Sequence, residues 1–412
     1  MKQLLLFLTA SIFVIGCNEA PKSDSGNTEP SEANSKLVIE ASVFNGMKEG
    51  AIRIEEKVVL PPEHWASYNV RIPETGRYRV TFSIQTDTGS VWMEDYINNT
   101  DDRTYDVTGK VSVQENGNAS IEGSPFQKGL HDIKIHAYQD TVVLSSFSFE
   151  LIQSFVITPD TMVQSTDGKE WNLVWSDEFE YSGLPDSTKW SYNIGNWGWG
   201  NNELQYYTLA DTNNALVDNG VLRIRGVKDN GIWSSARLTT QGKTTFLYGK
   251  MDIRAKVPVK RGTWAAGWML GDSYRDEISW PYCGEIDVLE CVGYEINDTT
   301  GSGLNHATCH TPAYYFKKGN QIGSNIEVDS MNTQFHNYTL EWYPDEIKCF
   351  LDGEHYYTYD KTADSLEWPF FQPQNIILNL AIGGGWGGAK GLDPTLQQQD
   401  YIIDYVRVFE KK

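Results

Sequence analysis

The sequence predicts an all-β protein made of two β-sandwiches that follow one another along the chain. Apolar and polar residues alternate with a period of two in many short runs, as in half-buried strands, and helical periodicity is nearly absent. Turn signals such as "PETG" and "NGNAS" separate the runs. A chain of 412 residues is too long for one ordinary domain, so we expect two folded units.

The N-terminus has the form of an export signal. A short basic start is followed by an apolar run, Leu4 to Gly16, that is too short to span a membrane permanently, so we expect residues 1–17 to be a signal peptide. The stretch "VIGC" resembles a bacterial lipobox, which makes Cys17 the candidate lipidated residue; the alternative is an ordinary secretory signal with a chance cysteine. Residues 18–36 are rich in Ser, Glu, Asn and Pro and predict a flexible linker. We therefore expect a monomer in the bacterial cell envelope, lipid-anchored at the outer membrane or cell surface, with no other contact to the membrane.

Charge and cysteine content restrict the partners. The formal net charge of -21 argues against nucleic acid and, more weakly, against a highly sulfated polymer, so a neutral partner fits best. If Cys17 is lipidated, four cysteines remain, an even number in an oxidising compartment. The absence of any C-x-x-C pair argues against a zinc site, and the sequence leaves open whether the cysteines pair.

Residues 37–155 are predicted to form the smaller sandwich. Its alternating runs include "WASYNVRI", "RYRVTFSI" and "HDIKIHAY". The order of an opening "IEAS" strand, this central block and a closing "GLHDIKIHAYQDTVVLSSFSFEL" resembles carbohydrate-binding module family 6. Trp92 and Tyr96 are candidates to stack on sugar rings, with ordinary core or edge packing as the alternative. Residues 156–170 are predicted to be a connector.

Residues 171–412 alternate in the same way over longer segments, such as "LYGKMDIRAKV" and "NYTLEWYPDEIKCFLDG". So many alternating segments predict two large antiparallel sheets packed face to face. About 240 residues can bury a sizeable core and curve one sheet into a groove.

One strand of this second unit, "YCGEIDVLECVG" at residues 282–293, carries three carboxylates with uneven spacing. In a regular strand Glu285 and Asp287 share a face and Glu290 points to the other. A β-bulge would shift the strand by one residue and bring Glu290 onto the same face. The alternative is an exposed acidic strand edge, but the intervening Ile286, Val288 and Leu289 indicate a buried strand, where carboxylates are costly without a function.

If the bulge is present, the spacing suits glycoside hydrolysis. Glu285 and Glu290 would lie four effective steps apart, roughly 13 Å between Cα atoms at about 3.3 Å per step. Side chains leaning together could reduce the carboxyl separation to roughly 5 Å, the distance for a nucleophile and a general acid in a retaining mechanism. Asp287 between them can raise the pKa of the acid and hold the nucleophile by a hydrogen bond.

The chain also resembles glycoside hydrolase family 16, whose signature is Glu-x-Asp-x-x-Glu in a bulged strand. Six further blocks resemble its endo-β-1,3-glucanase (laminarinase) branch, in the right order. They are "GWGNNELQYYT", "SARLTTQGKTTFLYGKMDIRAKVPVKRGTWAAGWMLG", "HATCHTPAY", "FHNYTLEWYPDEIKCFLDG", "ILNLAIGGGWGG" and "YIIDYVRVF". The resemblance covers nearly all of residues 171–412 and implies a catalytic β-jelly-roll sandwich of the concanavalin-like type.

The resemblance implies a role for each matching residue. Glu285 matches the nucleophile, Glu290 the general acid/base and Asp287 the assisting carboxylate. The matching groove residues are Asn202, Arg237, Trp264, Trp268, His310 and Trp386, with core packing as the alternative for any single Trp and a buried structural role as the alternative for His310. The family often carries a structural calcium ion, which here points to Glu178, Gly220 and Asp404. No catalytic metal or organic cofactor is implied.

Two blocks depart from the family pattern and leave the substrate open. Where the family commonly has "HGTVHT" and "PAFWMLG", this chain has "HATCHT" and "AAGWMLG", and we expect these changes to reshape the subsites. The leading expectation is laminarin-like β-1,3-glucan cleaved internally with retention. Mixed-linkage β-1,3-1,4-glucanase, agarase, porphyranase and carrageenase are rivals within the family, and transglycosylation would use the same residues. The alternative from another class is a non-catalytic surface glycan-binding lipoprotein.

Overall fold

The computed structural model describes residues 36–96, 106–114, 117–156, 170–275 and 279–412. The predicted signal peptide, Cys17, nearly all of the linker and most of the predicted connector lie outside the described residues. Residues Lys36–Lys412 form one compact unit. Within the described ranges no helix is long and apolar enough to cross a membrane.

In the described part of residues 37–154 there are eleven strands. They are β1 (Leu37–Glu40), β2 (Gly46–Met47), β3 (Ile52–Ile54), β4 (Lys57–Leu60), β5 (Trp65–Ile72), β6 (Gly76–Ile84), β7 (Ser90–Tyr96), β8 (Val111–Ser112), β9 (Asn118–Phe126), β10 (Gly129–Tyr138) and β11 (Val142–Ser154). A six-stranded sheet has the order β3-β4-β11-β6-β9, with β1 also paired to β11, and a five-stranded sheet has the order β2-β5-β10-β7-β8. We call this part the first sandwich.

The first sandwich is held together by one hydrophobic cluster to which both sheets contribute side chains. Strand β6 alternates strictly between buried and half-buried positions, which sends Tyr78, Val80 and Phe82 into the core. Tyr68 and Ile135 reach the same cluster from the five-stranded sheet. Alternation with a period of two is therefore what builds this core.

The residues that the structure describes between 171 and 411 include seventeen strands. They are β12 (Trp171–Asp177), β13 (Ser191–Tyr192), β14 (Gln205–Tyr207), β15 (Ala215–Asp218), β16 (Val221–Asp229), β17 (Ile232–Ser235), β18 (Arg237–Thr239), β19 (Gly249–Lys256), β20 (Thr263–Gly271), β21 (Glu285–Val292), β22 (Gly303–His310), β23 (Ile322–Val328), β24 (His336–Trp342), β25 (Glu346–Leu351), β26 (Glu354–Asp360), β27 (Gln374–Ile382) and β28 (Gln398–Lys411). The helical elements among the described residues are short 3-10 segments, at Ala41–Val43, Gly293–Glu295 and Phe316–Lys318.

These strands form two large sheets, which we call the second sandwich. The ten-stranded sheet has the order β14-β17-β16-β28-β19-β24-β25-β26, with β12 paired to β28 and β15 to β16, and the seven-stranded sheet has the order β13-β18-β27-β20-β21-β22-β23. Its pairings are antiparallel except for β14 with β17. The all-β prediction, with two packed sheets in this part of the chain, is confirmed.

The central strand β27 shows how one sheet serves two environments. All nine of its residues are buried. Ile376, Leu378 and Leu380 point into the core between the two sheets, whereas Asn379 on the opposite face lines a cavity on the outside of the seven-stranded sheet. This second face is therefore covered and polar enough to form the floor of a site.

Strand β21 contains the predicted bulge. Opposite β20, Leu289 pairs with Gly267 and Asp287 pairs with the next residue, Trp268, so Val288 has no partner in the register. Val288 itself is buried in the core of the second sandwich. The one-residue shift predicted for "GEIDVLE" is confirmed.

The cysteines that the structure describes are all free and buried. They are Cys283, Cys291, Cys309 and Cys349. The question that the sequence left open is therefore answered for these residues, which act as small core side chains.

Candidate active site

The bulge places the three carboxylates on one face of the seven-stranded sheet. Glu285 is paired with Leu270, Asp287 with Trp268 and Glu290 with Ala266, and these partners alternate along β20, so they share a face. Without the unpaired Val288, Glu290 would point into the core. All three carboxylates line a cavity on the open side of this sheet, and Glu285 and Glu290 also line an adjoining cavity.

Glu285 lies between a hydrogen-bond donor and two charged neighbours. The Trp280 Nε1 group donates to its Oε2 at 2.8 Å, and His310 Nε2 lies 3.7 Å from its Oε1. Burial and, after it, the Asp287 charge raise the pKa of Glu285 to about 7 against the opposing effects of His310, Trp280 and Arg237. Glu285 therefore loses its proton around neutral pH and is fully ionised only above it.

Glu290 is held more strongly in its protonated form. Burial raises its pKa well above the usual range, and Asp287 and Glu285 raise it further, while a hydrogen bond from Trp264 Nε1 at 3.0 Å lowers it. The two glutamates thus have different preferred protonation states although they share one strand. An ionised Glu285 beside a protonated Glu290 is the pair that a retaining glycosidase needs.

Asp287 and His310 form the back of the site. Asp287 is 3% exposed, and its Oδ2 lies 3.4 Å from His310 Nε2. Burial lowers the pKa of His310, but the Asp287 and Glu285 carboxylates together outweigh it and raise the pKa. Because a cationic His310 would sit between two carboxylates, it helps to keep Glu285 ionised. The ligand atoms of Glu285, Asp287 and His310 lie within 4.8 Å of one another, close enough to hold a cation.

The structure brings the six sequence-predicted groove residues to the two cavities. Arg237, Trp264 and Trp268 line the first, and Asn202, His310 and Trp386 line the second, with Trp264 in both. The Arg237 guanidinium lies between aromatic rings, 4.9 Å from the Trp199 centroid and 4.8 Å from the Trp268 centroid. This stack presents flat apolar surface next to a fixed positive charge.

Several lining residues were not singled out from the sequence. They are Trp197, Trp199, Glu203, Tyr274, Trp280, Phe316, Lys317 and Asn379. Trp199 and Glu203 belong to the "GWGNNELQYYT" block, which therefore held the signal. Trp280 could have been suspected only from its place five residues before Glu285. Asn379 accepts a hydrogen bond from Trp268 Nε1 at 2.8 Å, a contact that only the fold creates.

The residues predicted to bind calcium are engaged by arginines. Glu178 accepts two hydrogen bonds from Arg407, at 2.9 and 2.8 Å, and Asp404 pairs with Arg254. Gly220 lies in the turn before β16. Because a guanidinium already neutralises each carboxylate, this arrangement does not fit a calcium ion, which would have to displace both arginines. Calcium binding stays a prediction that the structure does not favour.

The two departures from the family pattern face the core, which corrects the expectation that they reshape the subsites. Ala307 and Cys309 of "HATCHT" and Ala265 of "AAGWMLG" are fully buried in the core cluster of the second sandwich. A Cβ on Gly267 would lie 2.7 Å from Ile253 Cδ1, which belongs to the opposite sheet. These positions therefore adjust the spacing of the sheets, while the alternate residues of the same strands line the groove.

Comparison with known proteins agrees with this geometry. The sequence model described as "Glycosyl hydrolases family 16" matches residues 199–407. A beta-glucanase of Rhodothermus marinus is 45% identical over 256 residues, which are 60% of this chain and 87% of that protein. The chain belongs to glycosyl hydrolase family 16. The family match includes β21 and the lining residues of both cavities except Trp197, and it begins after the first sandwich.

Solved structures show the same likeness. The crystal structure of the laminarinase from Rhodothermus marinus superimposes with a TM-score of 0.55 at 45% identity, covering 59% of this chain and 98% of that one. The laminarinase from Flavobacterium sp. UMI-01 gives 0.53 at 38% identity, covering 58% and 100%. The family 16 fold therefore accounts for the second sandwich.

Replacing Trp264 by Phe should move the alkaline limb of the pH profile. The Trp264 hydrogen bond favours ionised Glu290, so its loss raises the pKa of Glu290 and keeps the acid form to higher pH. A hydrogen bond to a charged group predicts a shift of roughly 1 pH unit. The measurement is kcat/KM for a soluble glucan against pH. Trp268→Phe is the matched control, because its Nε1 donates to Asn379 and should leave the alkaline limb in place; equal shifts in both variants would contradict the prediction.

Proposed function

We propose that this protein is an endo-acting, retaining β-1,3-glucanase. The observation that carries the proposal is the bulged strand β21, which points Glu285, Asp287 and Glu290 into one groove. Glu290 gives its proton to the glycosidic oxygen while Glu285 attacks the anomeric carbon and forms a glycosyl-enzyme. Glu290, now ionised, then takes a proton from water as the water displaces Glu285.

The shape of the site suits cleavage inside a long chain. The two cavities share Glu285 and Glu290, so space for sugar residues continues to both sides of the reacting groups. Aromatic rings at Trp197, Trp199, Trp264 and Trp386 offer flat faces to the C–H sides of sugar rings. An open, aromatic groove of this kind favours an endo-acting enzyme.

β-1,3-Glucan is the substrate that the observations favour. The Rhodothermus relative is named a beta-glucanase and its structure a laminarinase, and this chain spans most of both. The net charge of -21, with four carboxylates lining the groove (Glu203, Glu285, Asp287 and Glu290), disfavours an anionic galactan. Both glutamates are in place, which disfavours a purely glycan-binding role.

Product analysis tests this function. We expect the chain from Leu37 to release short β-1,3-oligosaccharides rapidly from laminarin, and Glu285→Gln to lose roughly 10⁴-fold in kcat because the nucleophile is gone. Glu346→Gln, a carboxylate of the other sheet that is paired with Lys348, is the control and should keep the parent activity. Barley-type mixed-linkage glucan and agarose are assayed in parallel. Activity on only mixed-linkage glucan or only agarose would assign that polymer as the substrate in place of β-1,3-glucan. Binding of the polymers without any hydrolysis would contradict the proposed enzymatic activity.

We also propose that the enzyme is a lipid-anchored monomer of the bacterial envelope, on the outer membrane or cell surface. The support is the "VIGC" stretch ending at Cys17 and the polar linker after it. We expect the full chain to incorporate labelled fatty acid and fractionate with membranes, and Cys17→Ala to lose the label. Labelling that persists in Cys17→Ala would overturn the anchor.

For the first sandwich we propose glycan binding through Trp92. Its ring stacks on the His136 imidazole, with centroids 3.9 Å apart, on the five-stranded sheet; Tyr96, the other predicted platform, has a side chain outside the described residues. In the Glu285→Gln background, Trp92→Ala should weaken laminarin binding in a pull-down by roughly 10-fold. Ile52→Ala removes an exposed apolar side chain from the other sheet and should bind as the parent does. Equal binding by all three proteins would rule out this role for Trp92.

A further inference from the structure

The segment that enters the nucleophile strand is attached to the first sandwich. This segment joins β20 to β21 and is described at residues 272–275 and 279–284. Arg77 Nη2, on β6, lies 3.2 Å from Asp272 Oδ2, and both side chains are only about a quarter exposed, at 26% and 24%. Tyr282 is 8% exposed and belongs to the hydrophobic cluster of the first sandwich. Two contacts of different chemistry therefore hold the same segment.

Other residues extend this contact surface. Leu366 of the second sandwich packs against the same cluster as Tyr282. The backbone at Gly109 runs beside Arg275, since a Cβ there would lie 3.2 Å from Arg275 Cδ. A cavity next to Tyr282 is lined from both sides, by Gln127 and His131 of the first sandwich among others. The first sandwich thus meets the second sandwich at several places, of which this segment is one.

The same segment carries the hydrogen-bond donor to the nucleophile. Trp280, two residues before Tyr282, donates from Nε1 to Glu285 at 2.8 Å. The intervening backbone is tightly folded, with hydrogen bonds from Cys283 N to Ser279 O at 3.0 Å and from Gly284 N to Pro281 O at 2.9 Å. Trp280 and Tyr282 therefore lie on one tightly folded turn, with one side chain in the active site and the other in the cluster of the first sandwich.

The base of the segment leaves little room for independent motion. Gly271 N donates to Gly284 O at 2.9 Å, which joins the end of β20 to the start of β21. A Cβ on Gly271 would lie 2.0 Å from the Cys283 carbonyl oxygen, so only glycine permits this approach. A displacement of Tyr282 is consequently passed on to Trp280 instead of being absorbed by the backbone.

We propose that the first sandwich is a structural part of the active site, in which Arg77 and Tyr282 are positioning residues that hold Trp280 against Glu285. This role is separate from glycan binding by Trp92, and its kinetic readout rests on the proposed glucanase activity. The first sandwich acts through the segment, and none of its described residues lines the two cavities that hold the reacting carboxylates. Cleavage efficiency therefore depends on residues outside the family 16 match.

The pH profile distinguishes positioning from general support. The Trp280 hydrogen bond lowers the pKa of Glu285, so weakening it raises that pKa and moves the acid limb of kcat/KM to higher pH, because Glu285 must be ionised to attack. Trp280→Phe should shift this limb by roughly 1 pH unit. Tyr282→Ala and Arg77→Ala should shift it in the same direction and lower kcat at pH 6 by roughly 10-fold.

The experiment compares these variants in the chain from Leu37 by kinetics on laminarin and by hydrogen exchange. Arg79→Ala is the matched control, because Arg79 lies on the same strand β6 but pairs with Glu122 and Glu150 inside the first sandwich. In the peptide that spans Ser279–Val292, we expect backbone amide exchange to be faster than in the parent for Tyr282→Ala and Arg77→Ala. For Arg79→Ala we expect the same exchange rate as in the parent. Adding Arg77→Ala to Trp280→Phe should move the acid limb no further.

The outcomes separate the two proposals. Unchanged exchange and an unchanged acid limb in both Arg77→Ala and Tyr282→Ala would overturn the positioning role. If Tyr282→Ala does not fold, Arg77→Ala alone decides, since it removes only one partly exposed ion pair. A parent chain without activity on any glucan would contradict the proposed function, and the exchange measurement would still decide whether the first sandwich holds the segment.

Discussion

The β-bulge at Val288 is the constraint on which the reacting groups depend. A regular strand alternates with a period of two, so it cannot present residues 285, 287 and 290 on one face. Leaving Val288 without a partner shifts the register by one residue and turns Glu290 outward, while Val288 itself fills the core. On the paired strand β20, Trp264 and Trp268 lie on the same face of the sheet as the three carboxylates. One backbone irregularity therefore aligns the carboxylates with the aromatic side chains around them.

Burying three carboxylates on one strand is electrostatically unfavourable. The neighbouring residues stabilise the negative charge of one glutamate more than that of the other. Glu285 has a tryptophan donor, His310 and Arg237 to stabilise its negative charge, whereas among the described residues Glu290 has the Trp264 donor alone. The proton consequently stays on Glu290. The difference between nucleophile and acid is thus made by neighbours from other strands, since the two side chains are chemically identical.

Within the site strands, the residues on one face pack in the core and the residues on the other face line the groove. In "HATCHT" and "AAGWMLG" the residues that depart from the family pattern lie in the core, and the residues between them line the groove. Gly267 lets Ile253 of the other sheet approach the site strand from behind. Such changes alter how the sheets pack, and they reach the substrate only through the position of the strands.

By itself the sequence determined the periodicity, and with it most of the fold. Alternation predicted the strands, and the uneven spacing of Glu285, Asp287 and Glu290, together with the resemblance to the family 16 signature, predicted the bulge, because these signals lie within a few residues of one another. The resemblance to family 16 supplied the groove residues Arg237, Trp264 and Trp268, and the structure places them in the cavity.

Interactions between distant segments could not be predicted from the sequence, since no local pattern marks them. Asn379 under Trp268, the arginines on Glu178 and Asp404, and the core-facing side of the altered blocks are of this kind. The attachment of Tyr282 to the first sandwich was likewise decided by tertiary packing alone, because burial depends on which surfaces meet when two sandwiches come together.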